Sequence, residues 1–420
     1  MKASRIILTA LCAAASAAAQ GQPGRTEYAA PQVKTVRLYT GDDVSSLPVL
    51  RLGGSDALHF SFDLMGHGYR RLCYHIEHCD PEGRTSDGLF DTEYLASTQD
   101  NPLIADYEPS QNTTTLYTHY SLDIPNTDAR PLLSGNYRLT VTDDDEDADT
   151  LVTTFFAVTE NAASVSLSCS TDTEIDRNAT HQQLTMRVDL GSLPLRDPAT
   201  EVRTVVLQNR DYATAARVQP TMQNGSALLW EHARGLIFPA GNEYRKTEMI
   251  STRYPGLHGE SMRWYEPYYH YTLMADAPRR NYLYDEDRNG LSVVRNDGSG
   301  DADIEADYVV THFTLQSPPL AGREVYVDGW WAQPAYSAPY RMDYNAAAGA
   351  YEASVLMKTG YYNYRYTVRD SVTGAPLPGE SPEGNYFQTE NEYTVLVYYR
   401  PSGSRYWRLL NAVSKTYRPR

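Results

Sequence analysis

The stretch Gly360-Tyr361-Tyr362-Asn363-Tyr364-Arg365-Tyr366 decides the fold class of this chain. Tyrosine is favoured in β-strands, and a ring with a hydroxyl at one end suits a surface that is partly buried and partly wet. The rest of the chain has the same bias, because it contains 34 Tyr and only 8 Phe. The sequence therefore predicts β-structure with amphipathic aromatic faces.

Outside this stretch, short runs of β-branched and aromatic residues are separated by Gly, Pro, Asn and Asp turns. In the first 160 residues these runs occupy positions 33–39, 58–64, 72–78, 116–122, 137–141 and 151–158. Several of them alternate with period two, and none has helical periodicity. We expect an antiparallel β-sandwich of ~130 residues, close to the immunoglobulin-like class.

The chain is too long for one hydrophobic core, since single cores stop growing near ~250 to 300 residues. A second set of predicted strands lies at 165–169, 184–190, 202–207, 268–274 and 308–315. After it, Ser317-Pro318-Pro319 interrupts strand pairing because proline has no N–H to donate. The prediction is an all-β chain of tandem immunoglobulin-like sandwiches, with a signal peptide (1–19), an N-terminal β-sandwich (20–160), a middle β-rich domain (161–318) and a C-terminal sandwich (319–420).

The C-terminal unit joins Val325-Tyr326-Val327-Asp328-Gly329-Trp330-Trp331 to the 360–366 strand. This combination resembles an early-set immunoglobulin-like module, of the kind that precedes the barrel in starch-debranching enzymes or binds glycogen. The resemblance implies a sandwich fold, and in sugar-binding members exposed tryptophans stack on pyranose rings. A secreted carbohydrate-binding protein that uses this module is the alternative functional hypothesis.

The amino terminus has the order of regions that defines a secretory signal peptide. Lys2 and Arg5 form a basic region, residues 6–16 are apolar, and small residues at 17–19 precede Gln20. Leu11 stands before Cys12, where a lipoprotein signal requires a small residue, so lipidation is not favoured. No later stretch is long and apolar enough to span a bilayer. We expect an exported, periplasmic protein that starts at Gln20 and does not span the membrane.

The formal net charge is −16, with 37 Lys and Arg against 53 Asp and Glu. Such a chain repels phosphate backbones and anionic lipid. Nucleic-acid binding is therefore not expected.

Cys73, Cys79 and Cys169 remain after signal removal, a count too sparse and uneven for a disulfide framework. On one extended strand, Cys73 and Cys79 would have Cα atoms ~20 Å apart, whereas a disulfide needs less than ~7 Å. We interpret them as buried free thiols. A zinc site on Cys73, His75, Glu77 and Cys79 is a weaker alternative, since neighbours two apart on a strand supply at most two converging ligands.

Acidic runs offer calcium-like patterns, but none of them is complete. Asp285 to Gly290 copies the first half of an EF-hand loop, yet its twelfth position is Asn296 instead of Glu. Asn289-Gly290 fits a two-residue hairpin turn better. A calcium site at this loop stays an open alternative, because further carboxylates follow at Asp301, Asp303, Glu305 and Asp307. We interpret the acidic run 143–147 as a hairpin tip.

Hydrolase, phosphate-loop and dinucleotide motifs are absent from the sequence. Gly259-Glu260-Ser261-Met262-Arg263, for example, departs from a nucleophile elbow at its last position. We expect no enzyme activity, no catalytic residues, no cofactor and no metal.

The order of segments across the whole chain closely resembles the plug-protein family of the type IX secretion system. Clear examples are Tyr74-His75-Ile76-Glu77-His78-Cys79-Asp80 and Phe238-Pro239-Ala240-Gly241-Asn242-Glu243-Tyr244-Arg245. The other matching segments are 33–36, 58–62, 93–95, 101–102, 106–107, 117–120, 133–137, 206–209, 267–270, 295–297, 305–309, 312–315, 360–364, 389–391 and 395–401. The resemblance implies a periplasmic protein that binds the large outer-membrane β-barrel translocon of this system. It would close the periplasmic opening of the barrel when no substrate or carrier occupies it.

A stopper of this kind needs a reversible docking patch with a few aromatic or arginine anchors. Pro267 disrupts a strand ladder and leaves its aromatic neighbours at an edge or in a loop. Of two adjacent tryptophans on a strand, one should face away from the core. The predicted partner-binding residues are therefore Trp264, Tyr265, Tyr268, Tyr269, Trp330 and Trp331.

Overall fold

The computed structural model describes residues 21–97, 101–144 and 149–419. The predicted signal peptide, Cys12, the mature start at Gln20 and positions 145–147 of the acidic run lie outside the described residues. Within the described ranges, no helix has both the length and the apolar character needed to cross a membrane. The chain is nearly all β-structure, as predicted. Immunoglobulin-like topology stays a prediction.

The first sandwich packs two mainly antiparallel layers around one apolar core. One layer has the order β2-β4-β8-β7, and the other contains β5, β10 and β11, with β1 and β3 also paired to β11. Strands β6 and β9 form a separate ribbon. The strands are β1 (Thr26–Ala29), β2 (Val33–Thr40), β3 (Val49–Arg51), β4 (Leu58–Met65), β5 (Leu72–Cys79), β6 (Leu95–Ser97), β7 (Asp106–Pro109), β8 (Tyr117–Ile124), β9 (Ala129–Pro131), β10 (Gly135–Asp143) and β11 (Thr150–Thr159).

The second sandwich begins directly after the first. Its outer layer has the order β12-β13-β16-β15, with β17 also paired to β13. The inner side of β13 alternates in sequence, so that Leu184, Met186 and Val188 face the core. The strands are β12 (Ser164–Ser170), β13 (His181–Asp189), β14 (Val202–Gln208), β15 (Met222–Asn224), β16 (Ala227–Trp230) and β17 (Ile237–Pro239).

The third sandwich is a single nine-stranded sheet in the order β18-β26-β23-β24-β25-β22-β20-β19, with β21 paired to β26. Most of its strands contribute to one core, so the sheet curls around that core. The strands are β18 (Arg245–Met249), β19 (Gly259–Tyr265), β20 (Tyr268–Leu273), β21 (Ser292–Val294), β22 (Tyr308–Leu315), β23 (Arg323–Asp328), β24 (Arg341–Asn345), β25 (Ala350–Lys358) and β26 (Gly360–Asp370).

The last two strands, β27 (Asn391–Tyr399) and β28 (Arg408–Tyr417), return to the second sandwich. β27 pairs with β14 and β28, and its alternate residues Tyr393, Val395 and Val397 complete the second core. β28 also pairs with β11 at one position, which joins the sheets of the first and second sandwiches. The third sandwich is therefore inserted into the second.

The sheets do not follow the predicted division into residues 161–318 and 319–420. β22 ends just before Ser317-Pro318-Pro319, yet it pairs along its whole length with β25, which comes after the prolines. The prolines end one strand because they cannot donate to a ladder, but they do not separate two cores.

Helical segments are few and short in the described residues. They are α1 (Asp91–Tyr94), α2 (Pro198–Glu201), α3 (Ala302–Glu305) and three 3₁₀ turns (Arg234–Leu236, Ala338–Tyr340 and Pro378–Glu380). Asp197 and Asp301 cap α2 and α3 by accepting hydrogen bonds from backbone N–H groups in the first turn.

Candidate docking surface

Strands β19 and β20 form a hairpin whose end carries four of the six predicted anchors. Trp264 lies opposite Tyr269 and Tyr265 lies opposite Tyr268, with a two-residue turn between them. We call these two strands and their turn the aromatic hairpin. Because β19 is the last strand of the nine-stranded sheet, one side of the hairpin is a sheet edge. The prediction from Pro267 thus located a cluster of aromatic residues, and their role in binding a partner stays a prediction.

The two aromatic rings at the end of β19 are exposed to solvent. Trp264 is 48% exposed and Tyr265 is 55% exposed, while Tyr268 and Tyr269 are half-buried. Trp264 meets Tyr269 edge to face at 4.9 Å between ring centroids, and Tyr265 meets His270 in the same way at 5.2 Å. These contacts orient the exposed rings, so less freedom would be lost on binding. Exposed, oriented aromatic rings are typical anchors of protein interfaces.

Trp330 and Trp331 lie elsewhere, and the chain itself uses both rings. The Trp331 indole N–H donates to the Asn363 carbonyl at 2.9 Å, and the ring packs edge to face against Tyr362. The prediction placed both tryptophans on a strand, but β23 ends at Asp328 and they lie in the turn that follows, so alternation does not apply. Arg210 of the second sandwich lies 3.8 Å above the Trp330 ring. Both residues are half-buried. Arg210 occupies one face of the Trp330 ring, so that face is not free for sugar stacking.

The first and third sandwiches meet at a buried ionic cluster, which we call the polar junction. The Asp63 carboxylate accepts hydrogen bonds from the Lys358 ammonium and the Tyr308 hydroxyl, both at 2.6 Å. It also contacts His119 Nδ1 at 2.7 Å, and the Thr35 hydroxyl lies 2.5 Å from that of Tyr308. The side chains of Asp63 and Lys358 are fully buried.

The charges in the polar junction are compensated. Burial alone would raise the pKa of Asp63, but the Lys358 ammonium and His119 outweigh burial and hold the pKa below its usual value. Burial lowers the pKa of Lys358, and its ammonium also donates to the Asp303 carbonyl at 2.6 Å and lies over the Tyr117 ring at 4.1 Å. This buried pair links β4 of the first sandwich to β25 of the third.

Local backbone geometry brings β2 into the polar junction. Thr35 has a positive φ of 50°, and the register between β2 and β4 shifts between Lys34 and Arg37. Such a bulge re-aims side chains. Here Arg37 forms an ion pair with Asp303 at 2.8 Å, beside the Thr35 contact with Tyr308. The bulge therefore directs two residues of the first sandwich toward the third.

The other two pairs of sandwiches are joined in a similar way. Between the first and second, Glu160 pairs with Arg408 at 2.8 Å, and the Tyr398 hydroxyl donates to Asn136 at 2.9 Å. Between the second and third, Arg365 pairs with Asp211 at 2.9 Å, in addition to the stacking of Arg210 on Trp330. Each sandwich contacts the other two, so the described chain forms one closed assembly.

A second exposed aromatic pair was not predicted from the sequence. Tyr69 and Tyr107 are 52% and 39% exposed and stack with their centroids 4.4 Å apart. Tyr107 belongs to β7, the last strand of its layer. The only sequence signal is that Tyr107 stands two residues before Pro109, because Pro is tolerated mainly on edge strands.

The cysteines do not form a metal site in the described part of the chain. Cys73, Cys79 and Cys169 are free thiols, and Cys73 and Cys79 are buried. Burial raises the pKa of Cys73 to about 11 and that of Cys79 to about 12, so both stay protonated and are poor ligands. His75, between them, is exposed.

The acidic candidates for calcium are engaged by the protein itself. Asp287 accepts hydrogen bonds from the backbone N–H groups of Tyr244 and Asn289, and Asp285 pairs with Lys246. Asp307 accepts from the Thr114 and Thr115 N–H groups at 2.8 and 2.9 Å. Asn289 and Gly290 form a turn, but this turn does not join the two strands of a hairpin. The strand after it, β21, pairs with β26, and residues 282–284 before it do not form a strand. In the described residues, no group of three or more His, Cys, Asp or Glu is placed to hold a metal.

Residues 33–160, which span β2 to β11, match the family model described as type 9 secretion system plug protein 1st domain. The crystal structure of a hypothetical protein from Parabacteroides merdae is 35% identical to this chain, with a TM-score of 0.91. The match covers 95% of this chain and 100% of that one. None of the curated proteins matches.

Proposed function

We propose, on the premise that the chain belongs to the type IX secretion system plug protein family, that it closes the periplasmic opening of the outer-membrane β-barrel translocon of that system. It would bind there when no substrate or carrier occupies the barrel. The family match over the first sandwich is the observation that carries this proposal. The protein would act by binding alone, in the periplasm, without catalysis.

The closed assembly of three sandwiches supports this function. A body that blocks a wide opening must keep its shape, and sandwiches joined by flexible linkers would move independently. Here each sandwich contacts the other two, and the polar junction ties β4 to β25 through the fully buried side chains of Asp63 and Lys358. Such an assembly can occlude an opening much wider than any one sandwich.

The aromatic hairpin is the surface that we assign to docking. Its edge strand leaves backbone groups available on one side. Trp264 and Tyr265 present rings that are exposed yet held by Tyr269 and His270. Trp330 and Trp331 are less suited to this role, since both are half-buried and their rings contact Arg210 and Tyr362 of the same chain.

The test measures binding of the mature chain to detergent-solubilised translocon that has been stripped of its own plug. Wild type should bind saturably, and Trp264→Ala combined with Tyr265→Ala should raise Kd about thirtyfold, equivalent to about 2 kcal/mol. Tyr284→Ala is the matched control, because Tyr284 is also exposed, at 68%, but lies outside the hairpin. It should leave Kd unchanged.

The outcomes separate the function from its surface. If the wild-type chain does not bind the translocon, the plug function is wrong. If wild type binds and the double hairpin variant binds equally well, the function stands and the docking assignment is wrong. A matching variant at Tyr69 and Tyr107 then tests the second exposed aromatic pair.

A further inference from the structure

His270 orients Tyr265 in the aromatic hairpin, and on the outer face of the third sandwich it also forms a pair with His312 that the proposed function does not use. His270 on β20 and His312 on β22 belong to neighbouring parallel strands. The register pairs His270 with Val310 and Thr272 with His312, so the two histidines are diagonal neighbours on one face of the sheet. Both are half-buried, so solvent reaches them.

The two imidazoles face each other through ring nitrogens. His270 Nδ1 and His312 Nε2 are 2.8 Å apart, and the ring planes differ by only 17°. Two bare nitrogen lone pairs at this distance would repel, so a proton or a metal ion must lie between them. In the metal-free chain, one ring donates a hydrogen bond to the other.

A neighbouring hydroxyl orients the inner ring. His312 Nδ1 lies 2.8 Å from the Ser354 hydroxyl on the adjacent strand β25. When Nδ1–H donates to this hydroxyl, Nε2 carries the lone pair that a metal requires. Metal-binding histidines in proteins are usually fixed in this way by a hydrogen bond from their other nitrogen.

We propose that His270 and His312 form a binding site for a divalent transition-metal ion such as Cu²⁺, Ni²⁺ or Zn²⁺. Metal–imidazole bonds are ~2.0 to 2.1 Å long, so tetrahedral coordination needs the two nitrogens about 3.3 Å apart. Half-buried rings reach this spacing by a small rotation. Imidazole suits these metals, whereas Ca²⁺ and Mg²⁺ require oxygen ligands.

The site is open. The described residues bring no third His, Cys, Asp or Glu to the pair, so water fills the other positions. Glu352 lies close enough for its carboxylate to act on His312 electrostatically, although its side chain accepts a hydrogen bond from Asn345 at 3.1 Å. This negative charge favours a cation without closing the coordination sphere.

The test is calorimetric titration of the untagged mature chain, treated with chelator, with Cu²⁺, Ni²⁺ and Zn²⁺ in turn. Wild type should bind one ion, with Cu²⁺ tighter than Ni²⁺ or Zn²⁺. His270→Asn and His312→Asn should each weaken binding at least tenfold, and Ser354→Ala should weaken it about tenfold through loss of orientation. His232→Asn is the control, since His232 is exposed and pairs with Glu174 elsewhere. It should change nothing.

Tryptophan fluorescence gives a second readout of position. Tyr265 touches His270, and Trp264 is its neighbour in the chain. Bound Cu²⁺ should quench part of the emission, and Trp264→Phe should remove the quenched component while the ion still binds. The proposal is overturned if wild type binds no ion, if both histidine variants bind as tightly as wild type, or if Ca²⁺ competes equally with Cu²⁺.

Discussion

The polar junction and the aromatic hairpin both involve strands of the third sandwich, but their side chains are in opposite settings. In the junction, Asp63 and Lys358 are charged groups with no exposure to solvent. In the hairpin, Trp264 and Tyr265 are large apolar groups that are about half exposed. The polar groups of the junction find their hydrogen-bond and ion-pair partners within the chain, whereas the hairpin leaves apolar surface exposed to solvent. The difference separates residues that hold the assembly together from residues available to a partner.

The largest expected effect comes from Lys358→Met. This change leaves the Asp63 carboxylate buried without its cation, which typically costs ~3 to 5 kcal/mol. The free energy of unfolding, measured in urea, should fall by this amount. Adding Asp63→Asn removes the stranded charge and keeps an acceptor for Tyr308, so the double variant should regain at least half of the loss. A loss below ~1 kcal/mol for Lys358→Met would contradict the assigned role of the ion pair.

Trp331→Ala should have the next largest effect. The ring packs against Phe313, Tyr340 and Tyr362, and its removal leaves a cavity at the rim of the third core. We expect a loss of about 3 kcal/mol and an earlier thermal transition. Trp331→Phe keeps most of the packing and loses only the hydrogen bond to Asn363, so it should cost about 1 kcal/mol. Equal losses for the two variants would show that ring packing is not what matters there.

A smaller, pH-dependent effect is expected at Glu243, where the chain passes from the second sandwich to the third. Burial raises the pKa of Glu243 to about 7, even though the Tyr282 hydroxyl and the Glu390 N–H donate to it. The folded chain therefore holds a proton that the unfolded chain loses near pH 4.5. Its stability falls as pH rises from about 4.5 to about 7, and the loss is complete above that range.

Glu243→Gln should remove this penalty, because glutamine is neutral at every pH and still accepts the hydrogen bond from Tyr282. The variant should equal wild type near pH 4 and exceed it by about 1 to 3 kcal/mol at pH 8. Urea unfolding across this range measures the difference. A constant difference between the two proteins at all pH values would show that Glu243 is ionised in the folded chain.

The sequence predicted the positions of the strands better than it predicted which strands pair with each other. Alternation and β-branched runs are local, so most strands of the first sandwich fall where the pattern places them. The insertion of the third sandwich depends on β14 pairing with β27, nearly 200 residues later in the chain, and no local pattern encodes that choice. The break at Ser317-Pro318-Pro319 was visible, but its meaning depended on the same distant pairing.

The candidate site shows the same limit. Pro267 and its aromatic neighbours identified the hairpin, because a proline at a strand end has a local consequence. Strand alternation was the wrong basis for Trp330 and Trp331, because β23 ends at Asp328 and both residues lie in the turn that follows. Only the fold shows that Arg210 lies over the Trp330 ring. Lys358, at the end of β25, has the sequence signature of a solvated charge. It is buried because Asp63, 295 residues earlier, reaches the same place.

The smallest expected effect is that of Trp264→Ala on stability, and it decides whether the comparison holds. The change is chemically the same as Trp331→Ala, but the ring is 48% exposed and its edge-to-face partner Tyr269 lies on the same hairpin. Little core surface is uncovered, so the free energy of unfolding should change by less than about 0.5 kcal/mol. Tyr265→Ala should have an equally small effect, since its ring touches His270 and is 55% exposed.

Parallel urea titrations of both variants and of Trp331→Ala provide the measurement. If Trp264→Ala lost as much stability as Trp331→Ala, its ring would be a structural part of the third sandwich. The hairpin and the junction would then both stabilise the fold, and the exposed area of the hairpin would no longer indicate a docking surface.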